Sequence, residues 1–206
     1  MAHKNKMKRS TKRMLMLGGL ALIILLIIVG LVVNFMKKGK KVEQPKTNST
    51  EEKTDETVVS FMGVGDNLIH DTVYKDALTE DGTYDFKKMY ENFKDDASNA
   101  DIAFINQETI LGGKELGLSG YPTFNSPTEI AKNLEDTGFN LVNLATNHCL
   151  DKSDLGIENE LVAFAKTNIV TDGIYTSQDR FNTIPTFTKK GITFSFLAYT
   201  YGTNGI

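Results

Sequence analysis

Cysteine is all but absent from this 206-residue chain: Cys149 stands alone, so no intrachain disulfide can form. That excludes a small secreted scaffold stapled by disulfides and suits a cytoplasmic protein or a Gram-positive surface protein. Histidine is scarce as well, with only His3, His70 and His148. No internal repeat is present. Basic charge is thin where a nucleic-acid binder would need it: residues 58–206 hold 11 Lys and Arg against 21 Asp and Glu. Residues 1–57 reverse the balance, with 12 against 5. Nucleic-acid affinity comes mainly from Lys and Arg on phosphates, so nucleic acid is excluded as a partner of the acidic part. An acidic substrate would be repelled too, unless a bound cation reversed the local field. Cys149 follows His148, yet a thiol nucleophile needs a base and an orienting group. Neighbours at a strand end point in different directions, so Cys149 reads as a small packing residue.

What is present begins with a basic tail, residues 1–13, carrying Lys4, Lys6, Lys8, Arg9, Lys12 and Arg13. Residues 14–36 then run 23 positions without a charge, rich in Leu and Ile. As a helix this segment would reach roughly 34 Å, enough for a bilayer core of about 30 Å. It lacks an Ala-x-Ala cleavage pattern and a lipidated cysteine, so the expectation is an uncleaved signal anchor rather than a signal peptide. Lys37, Lys38, Lys40 and Lys41 also follow the span, but the larger basic cluster precedes it. The orientation expected is a cytoplasmic N-terminus and an extracytoplasmic C-terminal domain on the cell membrane. Residues 37–57 are polar, with no apolar periodicity, and read as a disordered stalk.

The domain spans residues 58–206, and its pattern predicts an α/β fold. Residues 58–64 read as a first strand and 85–98 as an amphipathic helix with Phe86, Met89, Tyr90 and Phe93 on one face. Ile102 to Ile105 read as a second strand. A Gly, Ser and Pro-rich loop covers 111–127. Ser126 as cap and Pro127 at the first position open a helix that stops at Gly138. A third strand is predicted over 140–145, a helix over 155–167 and a short strand from Ile169. A hairpin over 185–198 turns at Lys189-Lys190-Gly191. Strands alternating with helices indicate layered α/β architecture. The late hairpin would add antiparallel strands, so a mixed sheet is expected.

Three of these strands finish in polar, metal-competent residues, where open α/β sheets place their ligands. Gly63-Val64-Gly65-Asp66 ends the first, and glycine permits close approach of a ligand. If a helical turn starts at Asp66, Asp66 and His70 share a face, and that pair suits Mn, Fe or Zn. The alternative is a helix cap and a surface histidine. Asn106-Gln107-Glu108 ends the second strand, with Asn106 and Glu108 on the same side of an extended chain. Thr146-Asn147-His148 ends the third. An Asn147 carbonyl can ligate a cation and His148 can donate a proton. Asp151 could orient His148 or cap the next helix, a role better suited to Asp154. The expectation is that Asp66, Glu108 and His148 converge on one metal-dependent site.

Gly65-Asp66-Asn67-Leu68-Ile69-His70, Asn106-Gln107-Glu108, Gly120-Tyr121-Pro122-Thr123-Phe124, the stretch Ala145-Thr146-Asn147-His148-Cys149-Leu150-Asp151 and Tyr199-Thr200-Tyr201-Gly202-Thr203-Asn204-Gly205 occur in this order. Together they resemble the CapA-type poly-γ-glutamate capsule biosynthesis family, which is similar to the calcineurin-like metallophosphoesterases. The resemblance implies a metallophosphoesterase-like αββα sandwich with one or two divalent metal ions. Asp66, His70, Glu108, Asn106 and Asn147 would be the metal-binding residues. His148 would be the acid or phosphate-contacting group, with Asp151 beside it. It also implies a place in capsule or poly-γ-glutamate biosynthesis, with the membrane and a capsule polymer or its synthesis and export complex as partners. Related sites draw further histidines from later in the chain, and none follows His148, so an incomplete domain is expected. Two functions remain open: a metal-dependent hydrolase acting on an envelope polymer or phosphoester, or a non-enzymatic assembly factor. A truncated relative without activity is a third reading.

Overall fold

A computed structural model describes residues 27–28, 30–31 and 56–204. The predicted membrane anchor, tail and stalk therefore lie almost wholly outside the described residues. Among the described residues no helix is long and apolar enough to cross a membrane.

Four short strands form one parallel sheet: β1 (Phe61–Asp66), β2 (Ile102–Asn106), β3 (Leu141–Asn143) and β4 (Val170–Asp172), in that spatial order. The segments between them fold as α1 (Asp71–Asp76), α2 (Lys87–Tyr90), α3 (Lys94–Asn99), α4 (Glu129–Thr137) and α5 (Ser153–Phe164). Parallel neighbours in sequential order need a crossover at each step, and crossovers of one hand place the connecting helices on one face of the sheet. That face is apolar: Met62, Val64, Ala103, Ile105, Val142 and Leu144 pack with Ile130, Leu134, Ile157 and Phe164 in the core. Gly138 closes α4 in the left-handed region, with φ 115°. A side chain there would put its Cβ 2.7 Å from the Ser98 nitrogen, so the turn demands glycine.

The other face is thinly covered. Phe61 stacks on Phe104 at 6.4 Å between ring centroids, and Phe104 meets Phe196 edge-on at 6.0 Å. Phe196 follows a hairpin of β5 (Thr186–Lys189) and β6 (Ile192–Ser195), which comes after α6 (Gln178–Phe181). This hairpin forms a two-stranded antiparallel sheet of its own, so the expected mixed sheet is corrected to two separate sheets. Its strands are satisfied by each other, with Phe187 stacked on Phe194 at 5.6 Å. Lys190 at the turn anchors it, donating to Asp101 Oδ2 at 2.7 Å and to the Val58 carbonyl at 3.0 Å.

Other expectations shift locally. The helix predicted over 85–98 breaks into α2, a 3-10 turn (Glu91–Phe93) and α3, leaving Met89 and Phe93 exposed. Ser126 does not cap α4; it is buried and donates to Thr109 Oγ1 at 2.8 Å, and Thr128 takes the cap position. Lys152, not Asp154, precedes α5, and Asp154 lies in its first turn.

Candidate functional site at the strand ends

The last residue of every strand in the parallel sheet is polar, and the register sets all four in one row. Asp66 pairs with Asn106, Asn106 with Asn143, and Asn143 with Asp172. Paired residues of adjacent strands share a face, here the one opposite the helices. A register irregularity between Gly63 and Asp66 brings Asp66 into the row. One Asn106 amide nitrogen donates to Asp66 Oδ1 at 2.7 Å and to Glu108 Oε2 at 2.9 Å. Both carboxylates thus converge on one nitrogen. On its other side, Asn106 Oδ1 accepts from Asn143 Nδ2 at 2.5 Å. Asn143 turns the chain beyond β3, accepting from the Ala145 backbone at 3.1 Å. Behind the row, Asn67, Gln107 and Tyr90 form a buried network that fixes the strand ends. Desolvation of the Tyr90 hydroxyl pushes its pKa up, which keeps it a neutral donor.

The second part of the site follows β3. Thr146 Oγ1 donates to the Glu108 carbonyl at 2.9 Å, tying this turn to the β2 end. His148 is buried, and its Nδ1 lies 2.6 Å from Asp151 Oδ2. A carboxylate accepts only, so Nδ1 carries a proton, and in the neutral ring the lone pair would be on Nε2. The same Asp151 oxygen accepts from the Phe124 backbone at 2.7 Å. Phe124 in turn stands between two imidazoles: its ring meets His148 at 4.6 Å and His70 at 5.0 Å, each edge-on. Asn147 is exposed, and its side-chain nitrogen donates to Asn204 Oδ1 at 3.1 Å.

Asp66, Asn106 and Glu108 are thus joined directly by hydrogen bonds, and His148 is joined to Asp151. Asp66 and His70 do not share a helical face as expected. Asp66 ends β1, and His70 is the extended residue before α1, with φ −73° and ψ 165°. Among the described residues no group of three or more His, Cys, Asp or Glu side chains is placed to hold a metal ion. The oxygens that converge at the row are those of the two carboxylates, Asp66 and Glu108; Asn106 turns its amide nitrogen to both, and the Asn143 oxygen accepts from the Ala145 N–H. Carboxylate oxygens are the donors that a hard cation such as Mg or Mn would take. Cys149 is buried, and desolvation pushes its thiol pKa up, which suits packing rather than nucleophilic attack.

Three contributors escaped the sequence reading: Asn143, Asp172 and Asn204. Asn143 and Asp172 close apolar strands as Asp66 and Asn106 do, and that strand-end position was the available signal. Asp172 is buried, accepting from Tyr175 at 2.8 Å and from the Ala198 backbone at 3.0 Å.

A family model described as "Bacterial capsule synthesis protein PGA_cap" matches residues 60–206. No match is found among curated proteins.

Proposed function

Because the chain belongs to the bacterial capsule synthesis protein family, PGA_cap, and so to a capsule-related process, we propose that residues 58–206 form a metal-dependent, hydrolase-like domain. Its substrate would be an envelope polymer, poly-γ-glutamate among the candidates, or a phosphoester. The domain would stand outside the cell membrane on an N-terminal anchor, with a metallophosphoesterase-like αββα sandwich as its fold. One observation carries the reading: two carboxylates from different strand ends, Asp66 and Glu108, meet at a single amide, and the turn that carries a carboxylate-paired histidine is tied to Glu108 through Thr146.

In this reading Asp66 and Glu108 would hold the cation, with the Asn106 and Asn147 carbonyls as further oxygen donors. The Asn106 amide would have to reverse, since it now turns its N–H groups to both carboxylates. His70, held against Phe124, would serve the site from outside the cluster. When bound, the cation would polarise the scissile group and activate water. His148 would move the proton: Asp151 holds Nδ1–H, which leaves Nε2 to take a proton from water or to return one to the leaving group. Asp151 also fixes the Phe124 loop, so ring orientation and loop position are set together. The experiment is Asp66→Ala in the full chain, read by metal content and by capsule formation in cells that depend on this protein. Loss of both is expected; retained capsule would refute the mechanism.

A non-enzymatic assembly factor is the competing reading. It draws on the want of a three-ligand group among the described residues. A full chain that purifies free of metal and gains no thermal stability from Mn would decide for it.

A further inference from the structure

The segment after the hairpin, residues 198–204, crosses the strand-end edge and is fastened at both ends. At its start, the Ala198 backbone donates to Asp172 Oδ2, the last member of the polar row, at 3.0 Å. At its end, the Asn204 backbone donates to the Asn147 carbonyl at 2.9 Å. The Asn204 side chain does more. Its Oδ1 accepts from Asn147 Nδ2 at 3.1 Å, while its Nδ2 lies 2.9 Å from His148 Nδ1 and 3.3 Å from Nε2. Nδ1 already directs its proton at Asp151, so the amide cannot also donate in line to Nδ1. Similar distances to two ring nitrogens place it over the imidazole face, an N–H···π contact.

We infer that Asn204 is a positioning residue for the Asn147–His148 pair, holding the Asn147 amide by its nitrogen and covering one face of the His148 ring. An amide held by its nitrogen is limited in the directions its oxygen can take. The ring is fixed by three groups from distant parts of the chain: Asp151 in its plane, Phe124 edge-on at 4.6 Å, and Asn204 over its face. Among the described residues, the strap reaches both members of the pair. The inference rests on the proposed chemistry for its purpose, but the geometry can be tested without it.

The test is side-chain NMR of the isotope-labelled full chain in detergent, comparing Asn204→Ala, Asn204→Asp and Tyr201→Ala. Asn204→Ala removes both contacts and is expected to shift the Asn147 side-chain amide and the His148 ring signals. Asn204→Asp keeps an oxygen for Asn147 and loses the amide over the ring, so the Asn147 signal should stay and the His148 ring signals should move. Tyr201, wholly exposed on the same strap, controls for general loosening, and its substitution should leave both signals in place. Superposition of the Asn147 and His148 signals of Asn204→Ala on those of the native chain would overturn the inference. So would equal shifts in Tyr201→Ala. Capsule output that ignores His148→Ala, with an Asn147 signal that still follows Asn204, would sink the proposed chemistry and leave this inference standing.

Discussion

At the scale of single residues, two carboxyl groups behave in opposite ways. Asp151 is nearly sealed, its side chain 1% exposed, yet both its donors converge on one oxygen: His148 Nδ1–H and the Phe124 N–H. Asp151→Ala takes that acceptor away, so nothing holds the proton on Nδ1 or fixes the ring. In the proposed chemistry that removes proton transfer, and a loss of about 10²–10⁴-fold in turnover is expected. Unchanged turnover would show that His148 does not move protons. Glu160 is also buried, in the middle of α5, with its Oε1 lacking any partner among the described residues. Burial pushes its pKa well above the ordinary 4.5, against a weaker opposing pull from the Leu111 backbone. The folded state therefore keeps a proton that the unfolded chain sheds. Its contribution to stability is full below about pH 4.5 and is lost as pH rises towards the folded value, with a slope of about 1.4 kcal/mol per pH unit. Thermal melts of Glu160→Gln from pH 5 to 8 should decline less steeply than those of the native chain. Parallel curves would show that Glu160 is not the group responsible.

At the scale of elements, the site depends on how short strands end. β3 and β4 have three residues each, so the row at their ends is held by the turns that follow. Gly173, just past β4, has φ 116°, and a Cβ there would lie 2.4 Å from the Ala145 nitrogen. Ala145 is the residue whose backbone orients Asn143. Gly173→Ala should cost roughly 1–3 kcal/mol in backbone strain alone. It should also disturb Asn143, which chemical denaturation and backbone NMR at 143–146 would show; an unchanged melt would contradict the packing described. Elements of this kind were only partly visible beforehand. The apolar runs ending in Asp66, Asn106 and Thr146 announced strands with polar exits, because a buried parallel strand reads as a continuous apolar stretch. The four-membered row was not legible, since it exists through inter-strand register and through the irregularity after Gly63. The helical turn expected from Asp66 to His70 is absent for a related reason. Periodicity cannot tell a helical turn from a non-helical one over four residues, and here no helix begins before α1, with His70 itself extended.

At the scale of the whole molecule, the acidic balance of residues 58–206 bears on what the strand-end site can hold. Two carboxylates drawn to one amide nitrogen, within a domain carrying 21 acidic against 11 basic residues, favour cation entry through the summed field as well as through local ligands. The same field would hinder a polyanionic polymer unless a cation intervened. Alternating strands and helices made the α/β class readable, whereas the separation of the hairpin into its own sheet was not. Its strands pair locally, and the hairpin meets the rest of the domain through Lys190 on Asp101 and Val58 and through Phe196, just past β6, on Phe104. If the proposed site takes Mn, binding to the folded state alone adds about 2.7 kcal/mol at a hundredfold excess over Kd. For a domain of this size that raises Tm by roughly 5–11 °C. Asp66→Asn removes one carboxylate charge while keeping the shape of the side chain, and should abolish the rise. A chelator should reverse it in the native chain. A Tm indifferent to Mn in both proteins would remove the metal from this site and leave the assembly-factor reading in its place.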